Sequence, residues 1–173
     1  MTREQAVKGI EGGIAMVKEL KDKGYKLLAT GEMGIGNTTT SSAVASVLLN
    51  QPVEEMTGRG AGLTSEGLNR KIGAIRKAIE LNQPDPFDAV DVLAKVGGLD
   101  IAGMAGVFLG GAVYRIPVVM DGFISCVSAL IAMQLCPAAG DYIIASHVSK
   151  EPAAHLILEH MKKEAILHAD MCL

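Results

Sequence analysis

Three short apolar runs separated by long helical patterns constrain this chain more than any other feature of its sequence. Residues 25–30 (YKLLAT), 116–120 and 141–145 have strand length and strand composition. Before the first run, Ala6, Ile10, Ile14, Val17 and Leu20 recur at steps of three and four, the apolar stripe of a helix over residues 3–23 that Gly24 ends. Between the first and second runs the helical patterns extend to residue 49, from Thr64 through Leu68, Ile72, Ile75 and Ile79, over 89–96 up to Gly97 and Gly98, and over 101–113. Another helix lies between the second and third runs, and a last one is predicted over 152–167. Strands joined through helices pair in parallel, because parallel neighbours need long crossovers. The expected fold is therefore α/β, a parallel sheet with helices on both faces in a Rossmann-like three-layer architecture. With 173 residues, no internal repeat and no low-complexity linker, residues 1–173 read as a single domain.

Packing inside that fold must be aliphatic, since aromatic residues make up only 3% of the chain while nine methionines are present. Gly106 and Gly110, four apart on one helical face, predict close approach of a neighbouring backbone. Asp85, in the turn NQPDPFD, is the expected cap before Pro86 and the helix at 89–96. The uncharged segment 122–139 has the length of a membrane span, but Ser125, Ser128, Gln134 and Pro137 fit a buried helix, so no membrane association is expected. A net charge of −3 without a basic cluster argues against nucleic acid and leaves a small molecule as the partner. Cys126, Cys136 and Cys172 are odd in number and form no C-x-x-C pair, and the charged N-terminal stretch has no secretory h-region. A reducing, cytoplasmic setting follows.

Chemistry concentrates in loops that follow the apolar runs. Gly31-Glu32-Met33-Gly34-Ile35-Gly36-Asn37-Thr38-Thr39 joins the first run to a helix. Its glycines let a ligand approach the backbone, and the helix start with the Thr38 and Thr39 hydroxyls suits phosphate oxygens. The order is neither a P-loop nor a dinucleotide fingerprint; a plain strand-to-helix turn is the competing reading. Glu32 beside a phosphate needs another partner, such as a ribose hydroxyl or a developing positive charge, unless it is a solvated loop acid. A second glycine loop, TGRGAG at 57–62, offers Arg59, and Lys71 follows on the next helix, where Arg70, Arg76 and Lys77 read as a solvated face. Ser146, His147 and Ser149 follow the third run, where Ser149 reads first as a helix-start residue and secondly as part of an anion site. His160, Glu164 and His168 share a helical face, but two turns span about 12 Å, too far for one ion. No metal site is expected.

Taken together and in order, GEMGIGNTTT, TGRGAG, Lys71 within LNRKIGAI, VVMDGFISCVSAL and SHVSKEP resemble the nicotinate-nucleotide:dimethylbenzimidazole phosphoribosyltransferase family over nearly the whole chain. The resemblance implies transfer of phosphoribosyl from nicotinate mononucleotide to 5,6-dimethylbenzimidazole, a benzimidazole-type base, giving α-ribazole 5'-phosphate and nicotinate without a cofactor. It implies Glu32 as an active-site carboxylate and Gly34, Gly36, Asn37, Thr38, Gly58, Gly60, Lys71 and Ser149 as the nucleotide and phosphate site, in a homodimer. Leu173 is implied at the edge of the acceptor pocket. Family members are about twice this long, and their Leu-Gly-Glu-Gly-Ser/Thr-Gly run, which carries the principal base, would begin at the end of this sequence. The expectation is therefore a chain corresponding to the central and C-terminal part of the family, with either transferase activity or a non-catalytic nucleotide-binding or interaction role.

Overall fold

The computed structural model of the chain describes residues 1–167. Helix α1 (Arg3–Asp22) starts at a capping box in which Thr2 accepts from the Gln5 amide and Gln5 reaches back to Thr2. Strand β1 (Leu28–Ala29) is followed by α2 (Thr38–Leu48), the single turn α3 (Val53–Met56), α4 (Ser65–Asn82), α5 (Ala89–Val96) and α6 (Leu99–Tyr114). Strand β2 (Val118–Met120), α7 (Phe123–Leu135), a 3-10 turn (Pro137–Tyr142), β3 (Ile143–Ala145) and α8 (Pro152–His160) complete the order. The strands form one parallel sheet in the order β1-β2-β3, with Leu28 opposite Val118 and Val118 opposite Ile143. Helices flank it, as the alternation of runs predicts.

Parallel pairing has one consequence for function. The three strands point the same way, so the loops leaving them, residues 31–37, 121–122 and 146–151, emerge at a single edge. That carboxyl edge is where open parallel sheets take ligands.

The core is aliphatic. Val44, Leu93, Ile101, Phe108, Leu130, Ile131 and Ile157 are fully enclosed, each such side chain contributing about 1.5–3 kcal/mol relative to exposure. The glycine face of α6 packs directly on α1. A Cβ built on Gly106 would lie 2.0 Å from the Ile10 carbonyl oxygen, and one on Gly13 would lie 2.0 Å from that of Gly103. The two backbones touch where side chains are missing. The first part of segment 122–139 is likewise internal: α7 is buried from Phe123 to Ala132, with Ser128 donating to the Ile124 carbonyl at 2.9 Å, while residues 134–138 are exposed. No described helix is long and apolar enough to cross a membrane.

Two local expectations are corrected. Asp88, not Asp85, caps α5, accepting from the amides of Val90 and Asp91, while Asp85 holds the preceding turn through the Phe87 amide. The last helix ends at His160 rather than near 167, and Lys162 adopts a left-handed conformation (φ 54°) that turns the chain back. Ile166 and Leu167 then donate to the carbonyls of Ala145 and Ser146 at 3.0 and 2.8 Å, and Leu167 bridges His147 in parallel. An open sheet edge offers unpaired backbone groups, and filling them outweighs continuing the helix. Glu164 consequently leaves the helix of His160, so the shared face supposed for these residues does not form. His168 lies outside the described residues.

Burial also separates the cysteines. Cys126 is enclosed and burial pushes its thiol up to about 12, whereas Cys136 is exposed. Because the thiolate is the reactive form, a maleimide pulse on the native chain is expected to label Cys136 and leave Cys126 untouched until denaturant is added. Peptide mapping of the labelled chain reads this directly, and native labelling of Cys126 would contradict the packing of α7.

Candidate functional site

Lys71 is the most informative side chain at the carboxyl edge of the sheet. It sits on the inner face of α4 and is 8% exposed, an unusual place for an ammonium. Its Nζ donates to Thr38 Oγ1 at 2.9 Å and to the Gly58 carbonyl at 3.0 Å. One side chain thus ties the start of α2, which follows the first glycine loop, to the second glycine loop. An ammonium has three donors, so one N–H remains for a ligand. Burial pushes the Lys71 ammonium below the ordinary lysine value, with the Glu151 carboxylate opposing that shift.

The surroundings are built to hold a negative group. No side chain caps α2 at Asn37, so the first amides of an eleven-residue helix face outward beside the Thr38 hydroxyl. Gly60 has φ 53° and lies so close that a Cβ there would be 3.1 Å from Thr38 Oγ1 and 3.8 Å from Lys71 Nζ. Gly34 and Gly36 have φ 81° and 86°, conformations that a side chain would strain. Thr38, Gly58, Gly60 and Lys71, widely spaced in sequence, therefore meet.

Ser149 joins this group through its neighbour. Its Oγ accepts from the Glu151 amide at 3.3 Å, within the turn before α8, and the helix cap itself is Glu151 rather than Ser149. The Glu151 Oε1 accepts from the Gly60 amide at 2.9 Å. Its Oε2 is buried without a hydrogen-bond partner, against the place where Gly58 lacks a side chain: a Cβ there would stand 2.1 Å away. Sequence reasoning missed Glu151, because an acid just before a helix-opening proline reads as a favourable helix start and nothing more.

Other expected residues behave differently. Glu32 is exposed, and its carboxylate accepts from the Gly34 amide two residues on at 2.5 Å, within its own loop. Asn37 turns inward and donates to Asp100 of α6 at 2.7 Å, anchoring the loop, while its Oδ1 is buried without a partner. Arg59 does not face the cradle. Its guanidinium binds the Leu63 carbonyl and Ser65 Oγ at 2.7 and 3.1 Å, bracing the loop against α4. Arg70 pairs with Glu66 and Arg76 with Glu54, the solvated face expected of that helix. Leu173 lies outside the described residues.

The rest of the edge is polar and linked. His147, 5% exposed, places Nδ1 2.9 Å from Ser146 Oγ and 3.9 Å from Asp121 Oδ1. Ser146 Oγ also donates to the Met120 carbonyl at 2.8 Å. Asp121 borders the first glycine loop at Gly31. Two surface grooves of about 570 and 490 Å³ lie elsewhere, beside Phe87 and beside Arg76, and no cradle residue lines them. The cation of the second groove, Arg76, is paired with Glu54, and Glu80 lines the same wall. Among the described residues no three His, Cys, Asp or Glu side chains gather as metal ligands.

Comparison with known proteins gives this edge a context. A family model described as phosphoribosyltransferase matches residues 1–173. The chain is 56% identical over 171 residues to a nicotinate-nucleotide–dimethylbenzimidazole phosphoribosyltransferase of Clostridium acetobutylicum, covering 99% of this chain and 49% of that protein. A protein of the same name from Ruminiclostridium cellulolyticum is 54% identical with the same coverage. The fold is similar to a crystal structure of CobT from Thermus thermophilus, with a TM-score of 0.93 and 36% identity, over 100% of this chain and 52% of that one. The chain spans about half the length of the curated relatives it matches.

Proposed function

The chain belongs to the phosphoribosyltransferase family whose model spans it, and on that premise we propose that its cradle binds the phosphate of nicotinate mononucleotide for transfer to 5,6-dimethylbenzimidazole. The observation that carries this reading is the buried Lys71, held between Thr38 and Gly58 where two glycine loops meet. A buried cation with a spare donor, beside an uncapped helix start, is a site for a compact anion. The names of the relatives supply the candidate substrates.

In the proposed reaction a ring nitrogen of the benzimidazole attacks the anomeric carbon as the bond from that carbon to the pyridinium nitrogen breaks. The bonding pair leaves with nicotinate, attack from the opposite face inverts the centre, and the second azole nitrogen gives up its proton to water. Positive charge grows on the ribosyl group during this step. Glu32, in the loop that opens from β1, is the carboxylate we assign to stabilising it. Gly34 and Gly36 let the loop backbone lie close to the nucleotide, and Ser149 adds a hydroxyl on the α8 side. We further read the protein as a cytoplasmic homodimer: Cys126 and Cys136 are free thiols, and exposed apolar side chains such as Phe87 and Leu99 offer surface for a second copy.

Titration of nicotinate mononucleotide into the chain by calorimetry is expected to give saturable binding, weakened about tenfold in Ser149→Ala by loss of one hydrogen bond to a charged group. Adding 5,6-dimethylbenzimidazole then separates the two roles. Release of nicotinate marks a transferase, and binding without release marks a nucleotide-binding module. A folded chain that binds no nicotinate mononucleotide overturns the reading.

A further inference from the structure

We propose that Glu151 is the positioning residue of this cradle, fixing the 57–62 loop against the start of α8 and, through Gly58, setting where Lys71 meets the ligand. The proposal rests on the phosphate-site reading of Lys71. One carboxylate makes two contacts with the loop. Its Oε1 takes the Gly60 amide at 2.9 Å, and its Oε2 fills the space that Gly58 leaves by having no side chain. The Gly58 carbonyl in turn accepts from Lys71 Nζ at 3.0 Å. Glu151, Gly58 and Lys71 are therefore one mechanical chain from α8 to α4.

The buried Oε2 makes a purely structural role insufficient. A carboxylate oxygen shut away from water without a hydrogen bond is destabilising unless a nearby cation compensates it. Lys71 is that cation, and Glu151 is the charged group that acts on it. Of the other charges of α4, Arg70 pairs with Glu66, Arg76 pairs with Glu54 of α3, and Lys77 and Glu80 are exposed, while α2 presents the Thr38 hydroxyl. The carboxylate favours the protonated form of Lys71 against the burial that disfavours it. Glu151 thus keeps the ammonium charged for a ligand that Glu151 itself does not touch.

Glu151→Gln and Glu151→Ala in the full chain test this. Glutamine retains an acceptor for the Gly60 amide but removes the charge, whereas alanine removes both. In Glu151→Ala the Gly60 amide is expected to exchange with solvent at least about tenfold faster, and affinity for nicotinate mononucleotide to fall about tenfold. In Glu151→Gln the Gly60 amide is expected to remain protected. The Lys71 side-chain titration, followed by carbon NMR at Cε, is expected to move to lower pH, and the alkaline loss of nucleotide binding to move with it. An unchanged Lys71 midpoint in Glu151→Gln, or wild-type Gly60 exchange in Glu151→Ala, overturns the proposal. If the wild-type chain binds no nicotinate mononucleotide, the phosphate reading fails, while the two NMR measurements still decide what Glu151 does.

Discussion

Lys71→Met is expected to lower affinity for nicotinate mononucleotide about a hundredfold while leaving the chain folded. Methionine fills nearly the same volume, so the packing of α4 survives. What disappears is the charge and three donors, and a charge-assisted hydrogen bond to phosphate contributes about 1.5–3 kcal/mol, up to roughly a hundredfold in binding. The melting temperature is expected to fall, because Glu151 Oε2 loses the cation that compensates it, so circular dichroism confirms that the variant is folded before binding is read. Lys71→Arg is not expected to rescue binding. Nζ is held as a point donor by Thr38 Oγ1 and the Gly58 carbonyl, a geometry that a longer, planar guanidinium does not reproduce. The pH dependence has a definite sign. Binding needs the charged lysine, and burial pushes its ammonium below the ordinary lysine value. Affinity is therefore full on the acid side of the Lys71 midpoint and is lost on raising the pH through it, at a pH below that of a solvent-exposed lysine. Calorimetry across pH reads both effects; a Lys71→Met chain that binds like wild type removes Lys71 from the site.

The second large effect concerns stability, and it predicts opposite signs at adjacent glycines. Gly106→Ala and Gly13→Ala each place a methyl 2.0 Å from a backbone carbonyl oxygen of the partner helix, which no rotamer change can relieve. Helices α1 and α6 must separate, opening space along their whole contact. The expected loss is about 3 kcal/mol or more, the upper end for overpacking, or roughly 6–12 °C in melting temperature for a domain of this size. Gly12→Ala has nothing within 4 Å of its new methyl, and its site is exposed. Helix propensity alone then acts, and this change is expected to stabilise by about 0.8–1 kcal/mol. Thermal unfolding of Gly12→Ala and Gly13→Ala side by side is the decisive comparison. Similar shifts in both would mean that α1 and α6 do not meet through their glycines.

Comparison of sequence with structure shows where local information ends. The α/β fold was legible because hydrophobic period is a property of neighbouring residues, and α5 falls on the very residues its pattern marks. Gly106 and Gly110 announced a close contact, but the partner, α1 through Ile10 and Gly13, lies some ninety residues away and left no mark at α6 itself. The misplaced end of α8 has the same origin, since the pattern continued past His160 while a sheet edge claimed Ile166 and Leu167. At the candidate site, motif resemblance singled out Lys71 and the glycine loops, yet local chemistry alone could not separate Lys71 from Arg70 one position before it. Arg59, the cation that the second glycine loop offers, braces its own loop.

Sequence by itself therefore determined the kinds of element, their order, and the loops able to carry chemistry, because these depend on spacing and on the backbone freedom of glycine. Tertiary structure alone decided which charge is buried and what faces it. Lys71 is set apart by lying between Thr38 and Gly58 with Glu151 behind them, and Glu151 acquires a role only through contact with Gly58 and Gly60. Burial and long-range electrostatics are properties of the assembled chain: they arise when residues distant in sequence exclude water together, and no local pattern encodes that exclusion.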